Sequence, residues 1–215
     1  MWPLLTTPGG VTLVGGGGAE AADLALALAH APRLVAADGG ADAALAAGLV
    51  PELVIGDLDS ISAPAQARLA DRLHPVAEQD STDFEKCLQR IVAAHVIAVG
   101  FSGRRLDHTL AALSVIARRP GQRILMLTEA ELVFLAPPQL SLDLAPGLPV
   151  SLFPMGPVAG RSTGLVWPIE GLRLAPDARV GTSNAATGPV TLASEGPLLV
   201  MVPKPCLPEV LAALA

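Results

Sequence analysis

The sequence predicts an α/β fold in two parts, an N-terminal parallel-sheet, Rossmann-like domain over residues 1–136 and a smaller C-terminal β-sandwich domain over residues 137–215. Three observations lead there. Short apolar runs alternate with alanine-rich stretches in the first part, the βαβα rhythm of a helix-covered parallel sheet. The texture changes at Pro137-Pro138, after which short apolar runs are separated by Pro and Gly, as in small all-β domains. Several carboxylates also stand where apolar runs end, the place at which open parallel sheets bind ligands.

The elements come in chain order. VTLVG (11–15) reads as a strand, EAADLALALAH (20–30) as a helix, RLVAAD (33–38) as a strand, ADAALAAG (41–48) as a helix and LVIGD (53–57) as a strand. A helix is expected from Thr82 to Ala94, a strand at HVIAVG (95–100), a helix from His108 to Arg118 and a strand at RILMLT (123–128), with ELVFL (131–135) adding one more. In the second part LPVSLF (148–153), TGLVW (163–167), ARVG (178–181), PVTLA (189–193) and PLLVMV (197–202) read as short strands, and LPEVLAALA (207–215) as a terminal helix.

Composition narrows the function classes. A chain of 215 residues can hide about 70 percent of its unfolded surface, enough for a core without staples. Its two cysteines, Cys87 and Cys206, lack C-x-x-C spacing, so no zinc site or disulfide framework is indicated and a reducing, cytoplasmic setting is expected. The opening MWPLLTTPGG has no basic leader and is broken by Pro and Gly, unlike a signal peptide. No apolar run reaches the length of a membrane span, so the mean hydropathy of +0.52 reflects abundant Ala, Leu and Val. Net charge is −6, and the basic residues pair only at Arg104-Arg105 and Arg118-Arg119, which disfavours nucleic acid.

Chemistry concentrates in four stretches of the first part: AADGGAD (36–42), VIGDLDS (54–60), EQDSTDFEKCL (78–88) and SGRRLDHTL (102–110). They carry Asp38, Asp57, Asp59, Asp80, Asp83, Lys86, Arg105 and Asp107, many carboxylates with two cations, the mixture that a magnesium-dependent phosphate-transfer site requires. Asp57 and Asp59, one residue apart at a strand end, can project to one side and offer the hard oxygens that suit Mg²⁺; a polar turn in which Ser60 caps the next segment is the plainer alternative. Thr82 and Glu85 have capping-box spacing, and Lys86 lies one turn beyond Asp83 on the same helix face. Asp107 is read as the N-cap of the next helix, with Arg105 free for phosphate. VGGGGAE (14–20) is either a tight βα turn or a phosphate contact, since it lacks both the third glycine of a dinucleotide fingerprint and the lysine of a P-loop. His30, His74 and His95 carry no pattern.

Together these stretches resemble the thiamine pyrophosphokinase family, closely over about residues 36–113, with TSN (182–184) extending the likeness into the second part. The resemblance implies an ATP-binding catalytic α/β domain, a thiamine-binding β-sandwich domain, a homodimer with clefts at the subunit interface, and Mg²⁺ dependence. Thiamine and ATP would be the substrates. By position, Asp57, Asp59 and Asp83 are expected to hold the metal, and Asp57, Asp59, Asp83, Lys86, Arg105 and Asp107 to form the catalytic set. Asp38, Gly39, Asp80, Thr82, Arg105, His108, Ser183 and Asn184 are expected to contact ATP or thiamine. Two departures from the family pattern stand out: Arg104 where a glycine is usual and Asp42 where an asparagine is usual. Trp167 is the best placed aromatic for stacking on a flat cation, although an isolated Trp more often packs as a core anchor. Transfer to a pterin-type alcohol, and a nucleotide-binding protein without activity, are the alternatives; the wealth of mutually repelling carboxylates argues against the second.

Overall fold

A computed structural model describes residues 2–215. In chain order the elements are β1 (Leu5–Thr6), β2 (Gly10–Val14), α1 (Ala21–His30), β3 (Arg33–Ala37), α2 (Gly40–Ala46), β4 (Leu53–Gly56), α3 (Ala63–Arg68), β5 (Leu73–Pro75), α4 (Asp83–Leu88), β6 (Ile91–Val92), β7 (His95–Val99), α5 (Leu106–Ala117), β8 (Ile124–Leu127) and β9 (Glu131–Leu135). Next come β10 (Gln139–Leu142), β11 (Pro149–Pro154), β12 (Val158–Leu165), β13 (Arg173–Leu174), β14 (Gly181–Glu195), β15 (Leu198–Pro203) and α6 (Leu207–Ala213). Among the described residues no helix is long and apolar enough to cross a membrane.

The expected fold class does not hold. A parallel Rossmann-like domain with a separate sandwich after it is the expectation, whereas the strands form one mixed sheet of thirteen, in the order β13-β12-β14-β11-β15-β9-β8-β7-β2-β3-β4-β5 with β10 on β14. Six of its pairings are antiparallel, against five parallel ones among β2, β3, β4, β5, β7 and β8. The physical reason lies at residues 128–130. A three-residue link is too short for the helical crossover that a further parallel strand needs, so from β9 onward the chain pairs antiparallel, β9 with β15 first.

Two compact units divide the chain, one of residues 1–115 with 124–129 and one of residues 116–123 with 130–215. In the first, β2, β3 and β4 are buried almost throughout by Val, Leu, Ile and Ala, the continuous apolar pattern of strands covered on both faces. In the second, β10 alternates exposed and buried residues and β11 alternates buried with less buried ones, and Leu140, Leu142, Val150, Leu152, Val190 and Val210 are among its buried core.

Local departures have local causes. The helix expected over residues 82–94 ends at Leu88, where the Arg90 guanidinium donates to the Lys86 carbonyl (2.9 Å). Ile91 and Val92, β-branched and poor helix formers, pair instead in parallel with Leu5 and Thr6. β14 takes in the expected PVTLA run but only Gly181 of the expected ARVG strand, and extends over fifteen residues to Glu195.

Candidate functional site

The four parallel strands β2, β3, β4 and β7 end in register, so the loops after them share one rim of the first unit. The chain runs from β2 outward through β3, β4 and β5, then returns to place β7 on the other side of β2. Such a reversal of strand order opens a crevice at the strand ends, where α/β sheets bind ligands. The loops after β2 and β7 flank it. They touch closely: the Gly17 amide donates to the Gly100 carbonyl at 2.7 Å, and a Cβ on Gly17 would lie 2.6 Å from that oxygen. Gly15, whose Cβ would lie 2.8 Å from the same oxygen, and Gly17 are therefore required by backbone approach.

Asp38 comes directly after β3 and is nearly buried. Its carboxylate accepts the amides of Ser60 (3.2 Å) and Ile61 (3.1 Å), drawing the loop after β4 towards it. A carboxylate oxygen each from Asp38, Asp57 and Asp59 lies within 4.8 Å of the others. Burial pushes the Asp38 carboxyl up to about 6 against the Ser60 amide, and the nearby carboxylates of Asp83, Asp57 and Asp59 add to the rise. Asp38 and Leu58 both hold left-handed backbone, with φ of 43° and 66°, a strain that neighbours must sustain.

Lys86, on α4, is the largest fully buried side chain, and its Nζ donates to Asp57 Oδ2 (2.9 Å) and Asp83 Oδ1 (3.0 Å). Burial works to lower the Lys86 pKa, but these two hydrogen bonds prevail and raise it. The Lys86 hydrogen bond holds the Asp57 carboxyl below the usual carboxylate range, with help from Gln79, whose Nε2 donates to Oδ2 at 3.1 Å. Gly56 makes this crowding possible, since a Cβ there would meet the Asp38 Cβ at 2.8 Å and Asp83 Oδ1 at 3.1 Å. Phe84 packs on Phe101, ring centroids 4.4 Å apart, and so ties α4 to the loop after β7.

The other expected residues take varied places. Gly39 precedes α2 beside Ser60, and Thr82 caps α4 by accepting the Glu85 amide (3.3 Å). Asp80 is exposed, its amide donating to Glu78. Asp107 is not an N-cap, because α5 begins at Leu106; its carboxylate instead takes Arg105 Nε at 3.1 Å, and both side chains are exposed. His108 is exposed, as is Arg104, whose Nε lies 4.0 Å from a Cβ built on Gly18. In the second unit Ser183 is exposed with φ 60°, and the buried Asn184 spends its carboxamide on the main chain of Trp167, accepting from its amide (3.0 Å) and donating to its carbonyl (2.6 Å). Trp167 is 70% exposed, so the core-anchor expectation for it fails.

Sequence reasoning misses Gln79 and the part Asp38 takes beside Asp57 and Asp59. Gln79 carries no signal of its own. Asp38 does: like Asp57 it ends an apolar run of a parallel strand.

A model of the thiamin pyrophosphokinase catalytic domain matches residues 24–126, the span that holds all four charged stretches. Over that span, just under half of the chain, the sequence is similar to the thiamin pyrophosphokinase family. Among curated relatives, thiamine pyrophosphokinase 2 of Oryza sativa subsp. japonica is 28% identical over 174 residues, 70% of this chain and 64% of the rice protein. Thiamine pyrophosphokinase 1 of Arabidopsis thaliana is 28% identical over 176 residues, 69% and 64% of the two chains. The chain thus spans about 64% of the length of these plant thiamine pyrophosphokinases. Among solved structures, thiamin pyrophosphokinase from Candida albicans superposes with a TM-score of 0.78 at 16% identity, covering 90% of this chain and 89% of the other. The enzyme from Geobacillus thermodenitrificans gives 0.74 at 22% identity, covering 90% and 96%. These structures share the fold.

Proposed function

We propose that this chain transfers the pyrophosphoryl group of ATP to the hydroxyethyl oxygen of thiamine, giving thiamine diphosphate and AMP in a magnesium-dependent reaction. The observation that carries the reading is the convergence of Asp38, Asp57 and Asp59 beside a buried lysine, on the rim where the family's catalytic motifs meet. An all-carboxylate donor set suits a hard divalent cation, and the raised pKa of Asp38 marks negative charge that the protein alone does not neutralise. Asp57 and Asp59, with Asp38 or Asp83, would hold Mg²⁺, which when bound neutralises phosphate oxygens and orients them.

The side chains divide the remaining work. Lys86 and Gln79 both hold Asp57 Oδ2, which leaves Oδ1 turned to the loop, accepting only the Asp59 amide at 3.4 Å. Arg105, steadied by Asp107, and Arg104 neutralise the triphosphate from the loop after β7. The acceptor hydroxyl attacks the β-phosphorus, the bond to the α-phosphate oxygen breaks, AMP leaves, and the hydroxyl proton passes to solvent or to a nearby carboxylate. No covalent intermediate is needed, because alignment and charge neutralisation supply the acceleration.

Residues 1–136 serve as the ATP-binding catalytic domain and residues 137–215 as the thiamine side. There the exposed Trp167 offers its face to the cationic vitamin, and Asn184 acts through the Trp167 main chain. The working form is a homodimer in the cytoplasm, a setting that two buried, unbridged cysteines favour. Incubation with Mg-ATP and thiamine, analysed by mass spectrometry, should give thiamine diphosphate and AMP in equal amounts. ADP formation would mean single phosphoryl transfer and a different enzyme.

A further inference from the structure

We propose that Asp42 is a positioning residue for the divalent-ion site, acting through Ser62 on the loop that carries Asp57 and Asp59. The inference rests on the metal reading given above. Three consecutive amides of this loop each donate to a carboxylate from the segment after β3. Ser60 and Ile61 donate to Asp38, and Ser62 donates to Asp42 Oδ2 at 2.9 Å. The Ser62 hydroxyl donates to Asp42 Oδ1 and accepts the Ala65 amide (3.3 Å), capping α3.

Asp42 therefore meets two donors with two acceptor oxygens. An asparagine offers one oxygen to the Ser62 amide, and its NH₂ group can only donate to the Ser62 hydroxyl, so the two charge-assisted bonds to a carboxylate become weaker neutral ones. That difference makes the departure from the family's usual asparagine consequential. The opposite end of the loop is fixed by Lys86 and Gln79 on Asp57. Between these anchors Leu58 holds φ 66°, and Gln66 Nε2 reaches the carbonyls of Leu58 and Ile61 at 3.3 Å each. Left-handed backbone at a leucine persists only where its surroundings hold it. Releasing the Ser62 anchor lets the loop relax and separates Asp57 and Asp59 from Asp38. Metal affinity falls, while the chemistry of the metal-saturated enzyme is kept, because Asp42 is hydrogen-bonded to Ser62 and stands outside the carboxylate group around Asp38.

The test is titration of the full chain with Mn²⁺ alone, free Mn²⁺ being read by electron paramagnetic resonance, together with amide hydrogen exchange at residues 60–62. Asp42→Ala should weaken Mn²⁺ binding about tenfold or more, as loss of an outer-shell partner does. Asp42→Asn and Ser62→Ala should fall between it and wild type, with faster exchange at the three amides and turnover at saturating Mn²⁺ within about threefold of wild type. Should Asp42→Ala fail to fold, the two milder variants carry the test, Asp42→Asn removing the acceptor's charge and Ser62→Ala removing the hydroxyl's bonds to Asp42 and to the Ala65 amide. Wild-type Mn²⁺ affinity in all of them, or a loss of turnover that saturating Mn²⁺ does not restore, overturns the inference. A wild-type chain that binds no Mn²⁺ overturns the metal reading and this inference with it.

Discussion

Replacing Lys86 by methionine removes a charge without opening a cavity, which isolates the electrostatic part of the site. The Lys86 side chain is 1% exposed and its ammonium bridges Asp57 and Asp83, whose side chains are 15% and 31% exposed. Breaking a fully buried pair costs about 3–5 kcal/mol, mostly because the remaining charge is stranded. Both carboxylates keep some access to water, so a loss of about 3 kcal/mol is expected for metal-free Lys86→Met at pH 7. With a urea m value of about 2 kcal/mol/M the midpoint falls by about 1.5 M, readable by circular dichroism. The pH dependence is the sharper readout. Asp57 has its folded pKa depressed, so its stabilisation is present above the ordinary carboxylate range and lost as pH falls through the folded value. Lys86 has its folded pKa raised, so its contribution is present below the ordinary lysine range and lost as pH rises through the folded value. The gap between wild type and variant should be full at pH 7 and shrink below about pH 4. A variant as stable as wild type at pH 7, or a gap undiminished at about pH 3.5, would refute the reasoning.

The same geometry sets other outcomes. Asp38, raised from 3.8 to about 6, disfavours the metal-free fold as pH climbs through that window, by about 3 kcal/mol when fully ionised. Mg²⁺ should therefore raise Tm more at about pH 7.5 than at about pH 5.5, and differential scanning calorimetry showing equal shifts would remove Asp38 from the site. Trp167→Ala should raise KM for thiamine about tenfold through lost cation–π contact, with KM for ATP nearly unchanged and stability altered by less than about 1 kcal/mol because the ring is exposed. Arg104→Gly should raise KM for ATP a few-fold, an effect that fades as salt is increased; a salt-independent change would point to loop conformation instead.

Much of the first unit is legible in the sequence because its signals are local. The apolar runs of β2, β3, β4 and β7 carry their own burial pattern, and Asp57 and Asp59 mark a strand end by position alone. The sheet as a whole is not legible, since the antiparallel pairing of β9 with β15 joins residues more than sixty positions apart. A short link after β8 is the available hint. α3 escapes sequence reasoning because six residues of APAQAR show little periodicity, although Ser62 and Pro64 are start signals for a helix. The division of labour among the aspartates is also hidden: Asp38 joins Asp57 and Asp59 while Asp83 pairs with Lys86, a choice fixed by how Gly56 lets the loops close. Likewise Asn184 is expected at a pocket from its motif alone, whereas its carboxamide is bonded to the Trp167 backbone.

The central claim, that these carboxylates hold the ion on which transfer depends, is tested most directly by exchanging the metal preference at one of them. Asp59→Cys puts a soft thiolate where a hard oxygen stood, and thiolates favour Cd²⁺ or Zn²⁺ over Mg²⁺. Thiamine diphosphate formation by this variant should be lost with Mg²⁺ and partly restored by Cd²⁺, in a range where Cd²⁺ does not help the wild type. Full activity of Asp59→Cys with Mg²⁺ would contradict the account.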